Sequence, residues 1–244
     1  MVIHLENWTK ETRKRMGYGN DHTKDSPGLS REWLSRFAHY REHFREYSFT
    51  QFKTFCEDCR DAFPNVYYTL EPIIAMLGEI AKFLPTIKIC ELGGAEGFLA
   101  SDILHHTEIP IKSWKNWEIS DHARMNDVCH DLRYVSLPLL DYVWRKDQSL
   151  EYFFKDNNVF ISTHVLEHFT PDYLEIFFEH LQISPIQFLI IEMPLPPTIH
   201  EIKWEDAHLL QIGWKEVLEI FTRFGFEVFM ETPMVKCLKR AISK

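Results

Sequence analysis

The stretch ICELGGAEGFLASDI, residues 89–103, decides the fold. IKICEL, residues 87–92, is an apolar run of strand length, and GFLASDILHH, beginning at Gly97, has the spacing of a helix. Between them stand Gly93, Gly94 and Gly97, three of the nine glycines in the chain. A strand, a glycine turn and a helix in immediate succession form the place where an open parallel sheet binds ligands: glycine lets the backbone come close, and the helix start offers unpaired N–H donors. The pattern is Glu91-x-Gly93-x-Ala95-x-Gly97. It is not the G-x-G-x-x-G that seats a pyrophosphate, and an acid at the strand end is poorly placed beside a diphosphate but suits a cationic ligand. The competing reading is structural, a tight strand-to-helix turn and nothing more.

Working outward, the chain after Pro85 alternates strands and helices. SWKNWEIS, LRYVSLPLL, NVFIST, IQFLIIEM, FEVFME and VKCLKRAI read as strands. DHARMNDVCH, the segment from Pro171 to Gln182 and the segment from Gly213 to Phe224 read as helices. This predicts an α/β fold with a largely parallel sheet covered on both faces. The last two strands are separated only by a corner at Thr232-Pro233, too short for a parallel crossover, so they are expected to be antiparallel.

Residues 1–86 read differently, as an N-terminal helical region. Trp33, Phe37, Tyr40, Phe44 and Tyr47 mark one aromatic face behind a cap at Ser30. Thr50 is expected to cap a second short helix, with Phe52, Phe55, Cys59 and Phe63, and Ile73, Ile74, Leu77, Ile80 and Leu84 mark a third. Such stripes ordinarily pack against the rest of a protein.

Composition bounds the function. The 244 residues are 45% apolar and 26% charged, enough for a core without staples. Five scattered cysteines imply a reducing compartment, and Cys56-x-x-Cys59 lacks the two further ligands a metal site needs. No signal peptide or membrane span is written in the sequence, which points to a cytoplasmic protein without membrane association. Residues 1–86 hold 12 basic and 12 acidic side chains, so the whole net charge of −9 falls in residues 87–244. That sign repels phosphate backbones, and nucleic acid is not the expected partner.

With these motifs in order, residues 87–241 resemble the class I S-adenosylmethionine-dependent methyltransferases, small-molecule branch, with Ala95 where the family has its middle glycine. The resemblance implies a Rossmann-like doubly wound sheet of seven strands with the last antiparallel, in a domain spanning residues 87–244. It also implies S-adenosyl-L-methionine as cofactor and S-adenosyl-L-homocysteine as product. Glu91, Gly93, Gly94, Ala95 and Gly97 would hold the methionine end and Glu118, in WEISD, the ribose. NVFISTHVLEHF matches the fourth-strand motif and brings Thr163 into the cofactor set, and HLLQIGWKEVLEIFTRFGFEVF matches the block before the sixth strand. The adenine acid is Asp141 or Asp131, with Asp141 preferred. Residues 1–86 would then form a lid and acceptor region.

Methyl transfer is an in-line displacement in which alignment supplies most of the catalysis, with a general base optional. His164 and His168, behind the fourth strand, and His208 are the candidate catalytic groups, with Glu192 and Tyr18 as further acceptor contacts. The expected acceptor is a small organic molecule with an oxygen nucleophile; oligomeric state is not legible. Two alternatives stand beside this. One is a catalytically silent binding module on the same fold. The other is a zinc peptidase through His164-x-x-Glu167-His168, which would need those residues inside one helix.

Overall fold

The computed structural model describes residues 50–51, 53–54, 70–139, 151–193, 210 and 212–241. In chain order the elements are α1 (Leu70–Ile80), β1 (Ile87–Leu92), α2 (Phe98–His106), β2 (Ile111–Glu118), α3 (Asp121–Met125), β3 (Tyr134–Pro138) and α4 (Glu151–Phe154). They continue with β4 (Val159–Thr163), a 3₁₀ turn (Leu166–His168), α5 (Pro171–Gln182), β5 (Phe188–Glu192), α6 (Trp214–Arg223), β6 (Phe226–Glu231) and β7 (Val235–Arg240). One seven-stranded sheet results, in the order β3-β2-β1-β4-β5-β7-β6. β1 to β5 run parallel, and β7 lies antiparallel between β5 and β6. This is the Rossmann-like arrangement expected from the alternation of elements and from the short corner before β7.

Side chains alternate across the sheet and feed two cores. On one face Ile89, Val159, Ile161 and Ile190 pack with Ile73, Leu77 and Ile80 of α1 and Leu99 and Ile103 of α2. On the other, Cys90, Leu92, Phe160, Leu189 and Ile191 pack with α4, α5 and α6. There the aromatic side chains interlock edge to face: the Phe178 and Phe221 rings are 4.3 Å apart and join α5 to α6, and Phe154, Phe160 and Phe177 extend the cluster. Covering both faces explains why the central strands are apolar runs rather than alternating ones.

Helix starts follow local chemistry. Thr170 accepts from Tyr173 N ahead of Pro171, Ser120 accepts from Ala123 N, and Glu216 Oε2 accepts from Gly213 N at 3.0 Å.

Several boundaries differ from the sequence reading. The helix expected over residues 121–130 stops at Met125. Asn126 closes it by donating its side chain to His122 O, and Val128 N then donates to Glu96 O, which pulls the chain out of helical register. The third strand is confined to Tyr134–Pro138. Thr50 lies within helical residues instead of capping them, with Thr54 Oγ1 donating back to its carbonyl. The third N-terminal helix runs from Leu70 to Ile80, earlier than the apolar stripe implied, and the short α4 was not anticipated. Cys90, Cys129 and Cys237 are buried free thiols; Cys56 and Cys59, and the aromatic stripe from Trp33 to Tyr47, lie outside the described residues. No helix among the described residues is long and apolar enough to cross a membrane.

Candidate functional site

The strand order reverses at β1, which has β2 on one side and β4 on the other. In open α/β sheets the crevice beyond the carboxyl ends of two such strands is where ligands sit. The loop Gly93–Gly97 leaves β1 there and residues 164–168 leave β4 there. The two touch: a Cβ built on Gly93 would collide with the side chain of Val165. Both segments also carry unusual backbone. Gly93, Ala95 and Gly97 have φ of 71°, 47° and 80°, and His164 has φ of 55°. For Ala95 and His164 the left-handed conformation costs about 1–2 kcal/mol each, so their surroundings must hold them in it.

β2 does much of that holding. Gly93 N donates to Trp117 O, Gly94 N to Asn116 Oδ1 at 2.8 Å, and Ala95 N to Glu118 Oε2 at 2.9 Å. Asn116 and Glu118 reach the loop together because they are two apart on one strand and share a face. Glu118 Oε1 also accepts from Ser120 N at 2.8 Å. Burial raises the Glu118 carboxyl above its usual pKa, with the Ser120 and Ala95 N–H groups opposing the rise.

Glu91 lies beneath this loop. It is 1% exposed, and its Oε2 accepts from Trp114 Nε1 at 2.7 Å. Its Oε1 is buried and has no hydrogen-bond partner among the described residues. Burial pushes its pKa up to about 8, against the lowering effect of the Trp114 hydrogen bond. Gly94 is required directly above it, since a Cβ there would meet Glu91 Cδ at 2.5 Å and Asn116 Oδ1 at 2.9 Å. Gly97 is required over Tyr134, whose Oη would be 2.6 Å from a Cβ.

Across the crevice His164 stands between two carboxylates that are each 1% exposed, with Nδ1 3.4 Å from Glu167 and Nε2 3.6 Å from Glu192. Its backbone N also donates to Glu192 O. Burial alone would lower the imidazole pKa, but the hydrogen bonds and charges of Glu167 and Glu192 outweigh it and raise the pKa to about 10. At neutral pH His164 is therefore an imidazolium, able to donate and to orient but not to take up a proton.

The structure thus gathers Glu91, Gly93, Gly94, Ala95, Gly97, Glu118, Thr163, His164, His168 and Glu192 at the carboxyl ends of the central strands. Asp141, His208 and Tyr18 lie outside the described residues. Asp131 does not join the site: it precedes β3, at the opposite end from the crevice, and is bound to Arg133 through 2.7 and 2.9 Å contacts that hold its carboxyl well below the usual range. The zinc-peptidase geometry is overturned. β4 ends at Thr163 and only Leu166–His168 form a short 3₁₀ turn, so His164, Glu167 and His168 share no helix. Among the described residues no group of three or more His, Cys, Asp or Glu side chains could hold a metal ion. Sequence reasoning missed Asn116, Trp114 and Tyr134. The period of two counted back from Glu118 was the available signal for the first two.

No protein-family model and no curated protein matches this sequence. Solved structures do match its shape. The methyltransferase domain of bacterial CtHen1-CN is 15% identical with a TM-score of 0.50, covering 70% of this chain and 97% of that one. Magnesium protoporphyrin IX methyltransferase from Synechocystis PCC 6803, solved with bound SAM, is 12% identical with a TM-score of 0.51, covering 89% and 100%. The small RNA methyltransferase HEN1 is 11% identical with a TM-score of 0.52, covering 73% of this chain and 27% of that one. At these identities the likeness establishes a fold shared with class I methyltransferases.

Proposed function

We propose that this chain binds S-adenosyl-L-methionine at the Gly93–Gly97 loop and transfers its methyl group to a small organic acceptor with an oxygen nucleophile. The observation that carries the proposal is the loop itself, left-handed at Gly93, Ala95 and Gly97, lying at the strand reversal and fastened to Asn116 and Glu118. The residues fit the cofactor in two respects. Gly93 and Gly94 let the loop close onto Val165, Glu91 and Asn116, where any Cβ would collide, and the buried Oε1 of Glu91 has no hydrogen-bond partner among the described residues. Glu91, Gly93, Gly94, Ala95 and Gly97 would face the methionine end, Glu118 the ribose and Asp141 the adenine, with Thr163 at the end of β4 beside them. When bound, the sulfonium supplies an activated methyl group.

The chain's own contribution is alignment and charge. His164, with both ring nitrogens facing Glu167 and Glu192, would place a fixed positive charge beside the acceptor, and His168 or His208 would be the group that accepts a proton. The salt bridge of Lys53 with Asp121, at 2.6 Å, supports a lid role for residues 1–86, because it ties that region to the start of α3 just beyond Glu118. The formal charge of −9 supports a small acceptor over a nucleic acid.

The test is calorimetric titration with S-adenosylmethionine and S-adenosylhomocysteine, with NAD as control, followed by transfer of labelled methyl groups to a panel of hydroxylated small molecules and short RNAs. Micromolar binding and labelling of the small molecules are the expected results. Binding without any transfer would favour the silent module, labelling of RNA alone would overturn the small acceptor, and no binding would overturn the cofactor.

A further inference from the structure

Asn116 is fully buried in the middle of a polar network, two residues before the acid that the sequence reading emphasised. Its Oδ1 accepts from Gly94 N at 2.8 Å. Its Nδ2 lies 3.2 Å from Ala95 O, 3.0 Å from Tyr134 Oη and 3.1 Å from Ser136 Oγ, so two protons serve three acceptors and one of these contacts is shared. One planar amide therefore grips the loop by an N–H and a C=O in successive residues.

We infer that Asn116 is the positioning residue for the Gly93–Gly97 loop, setting its ligand-facing shape before the cofactor arrives; the inference rests on the cofactor reading proposed above. The argument is one of chemistry and of size. The loop presents a donor at Gly94 and an acceptor at Ala95, and the neighbouring hydroxyls of Tyr134 and Ser136 also need to be reached. An aspartate of the same shape offers acceptors only, a serine is too short to span both sides, and a glutamine is one methylene too long for a site with no exposed surface.

The loop needs such a grip. With glycines at 93, 94 and 97 its peptide planes can rotate at little cost, and Ala95 stands at a φ of 47° that it would leave if released. The other fastenings control different atoms: Glu118 takes Ala95 N, Gly97 N donates to Gly94 O, and Val128 N donates to Glu96 O. Asn116 binds both Gly94 N and Ala95 O, and so fixes the orientation of the 93–94 and 95–96 peptide groups, on either side of the one that joins Gly94 to Ala95. Tyr134 backs it from below, donating to Asp127 at 3.2 Å while its oxygen would stand 2.6 Å from a Cβ on Gly97. A loop without this anchor would have to be ordered at the moment of binding, which lowers apparent affinity in proportion to the fraction already in the competent shape.

The experiment compares the wild-type chain with Asn116→Ala, Asn116→Asp and Tyr134→Phe. Three readouts are taken: S-adenosylhomocysteine affinity by calorimetry, hydrogen exchange of peptides spanning residues 93–99 in the unliganded protein, and the thermal midpoint. Asn116→Ala and Asn116→Asp should each weaken binding by at least tenfold and speed exchange in the loop, while β4 and β5 keep their protection. Tyr134→Phe should do the same to a smaller degree. If Asn116→Ala fails to fold, the two variants of unchanged shape decide. Wild-type affinity and loop exchange in Asn116→Asp would overturn the assignment, as would a lowered midpoint with exchange raised evenly through the sheet and affinity intact. Failure of the wild-type protein to bind is failure of the cofactor reading instead; the exchange arm then still decides whether Asn116 sets the loop.

Discussion

Replacing Gly94 by alanine tests the site by geometry alone. Gly94 is not in the left-handed region, so alanine brings no backbone strain, only a methyl group. That methyl would sit 2.5 Å from Glu91 Cδ and 2.9 Å from Asn116 Oδ1, where ordinary contact begins at 3.4 Å, so something must retreat by roughly 0.9 Å. Glu91 cannot, being buried and held by Trp114, and Asn116 is held by the network around it. The loop must therefore lift. Forced overpacking of this kind costs typically about 1–3 kcal/mol of stability, and a lift approaching 1 Å should weaken S-adenosylhomocysteine binding by about ten- to a hundredfold, or roughly 1.4–2.8 kcal/mol. Gly225→Ala is the matched control. Gly225 has φ of 80° and open space around it, so alanine there should cost about 1–2 kcal/mol of stability through conformation while leaving affinity unchanged. Calorimetry and urea melts on both variants separate the two effects. Undiminished affinity in Gly94→Ala, or an equal loss in Gly225→Ala, would refute the reasoning.

Glu91→Gln should flatten the pH dependence of stability. The native pKa near 8 exceeds the usual 4.5, so the folded state binds the extra proton and stability falls as pH rises from about 4.5 to 8; melts across that range should lose this slope in the variant. His164, raised to about 10 from the usual 6.5, contributes stability that is full below about 6.5 and lost as pH climbs through 10. NMR titration should show its ring charged at pH 7, and Glu192→Gln should lower its midpoint. Phe178→Ala removes a fully buried ring packed on Phe221 and should cost about 3–5 kcal/mol in denaturant unfolding, without changing cofactor affinity in the variant that remains folded.

Much of this architecture was legible from residue pattern. β1 and β6 fall where IKICEL and FEVFME stand, since each is an apolar or alternating run ended by glycine or a turn, and α5 begins and ends as Thr170-Pro171 and its apolar spacing imply. The lost boundaries have physical causes. The helix at DHARM ends early because Val128 is drawn to the glycine loop, a contact across some thirty residues that no local propensity records. The candidate site was legible in some of its residues and not in its linkages. Glu91 and the glycines could be named from spacing and Glu118 from the resemblance of WEISD to a family motif, but that Glu118 holds Ala95, that Glu91 faces a tryptophan from below, and that His164 is charged by two buried acids depend on strands meeting side by side. Asp131, the alternative to Asp141 for the adenine, shows the same thing: sequence gives its distance along the chain, whereas its place at the far end of β3 and its pairing with Arg133 belong to the sheet.

β7 is the last strand in sequence and yet an interior strand in space, hydrogen-bonded to β5 on one side and β6 on the other. During synthesis, the half of the sheet beyond β4 therefore cannot close until residue 240 has left the ribosome, and until then β5 shows a bare edge of five buried residues. A ribosome stalled a few codons before Val235 would leave β5 and β6 without their common partner. Until β7 is in place the nascent chain presents an open template for aggregation, and its insertion between β5 and β6 is what finishes the sheet.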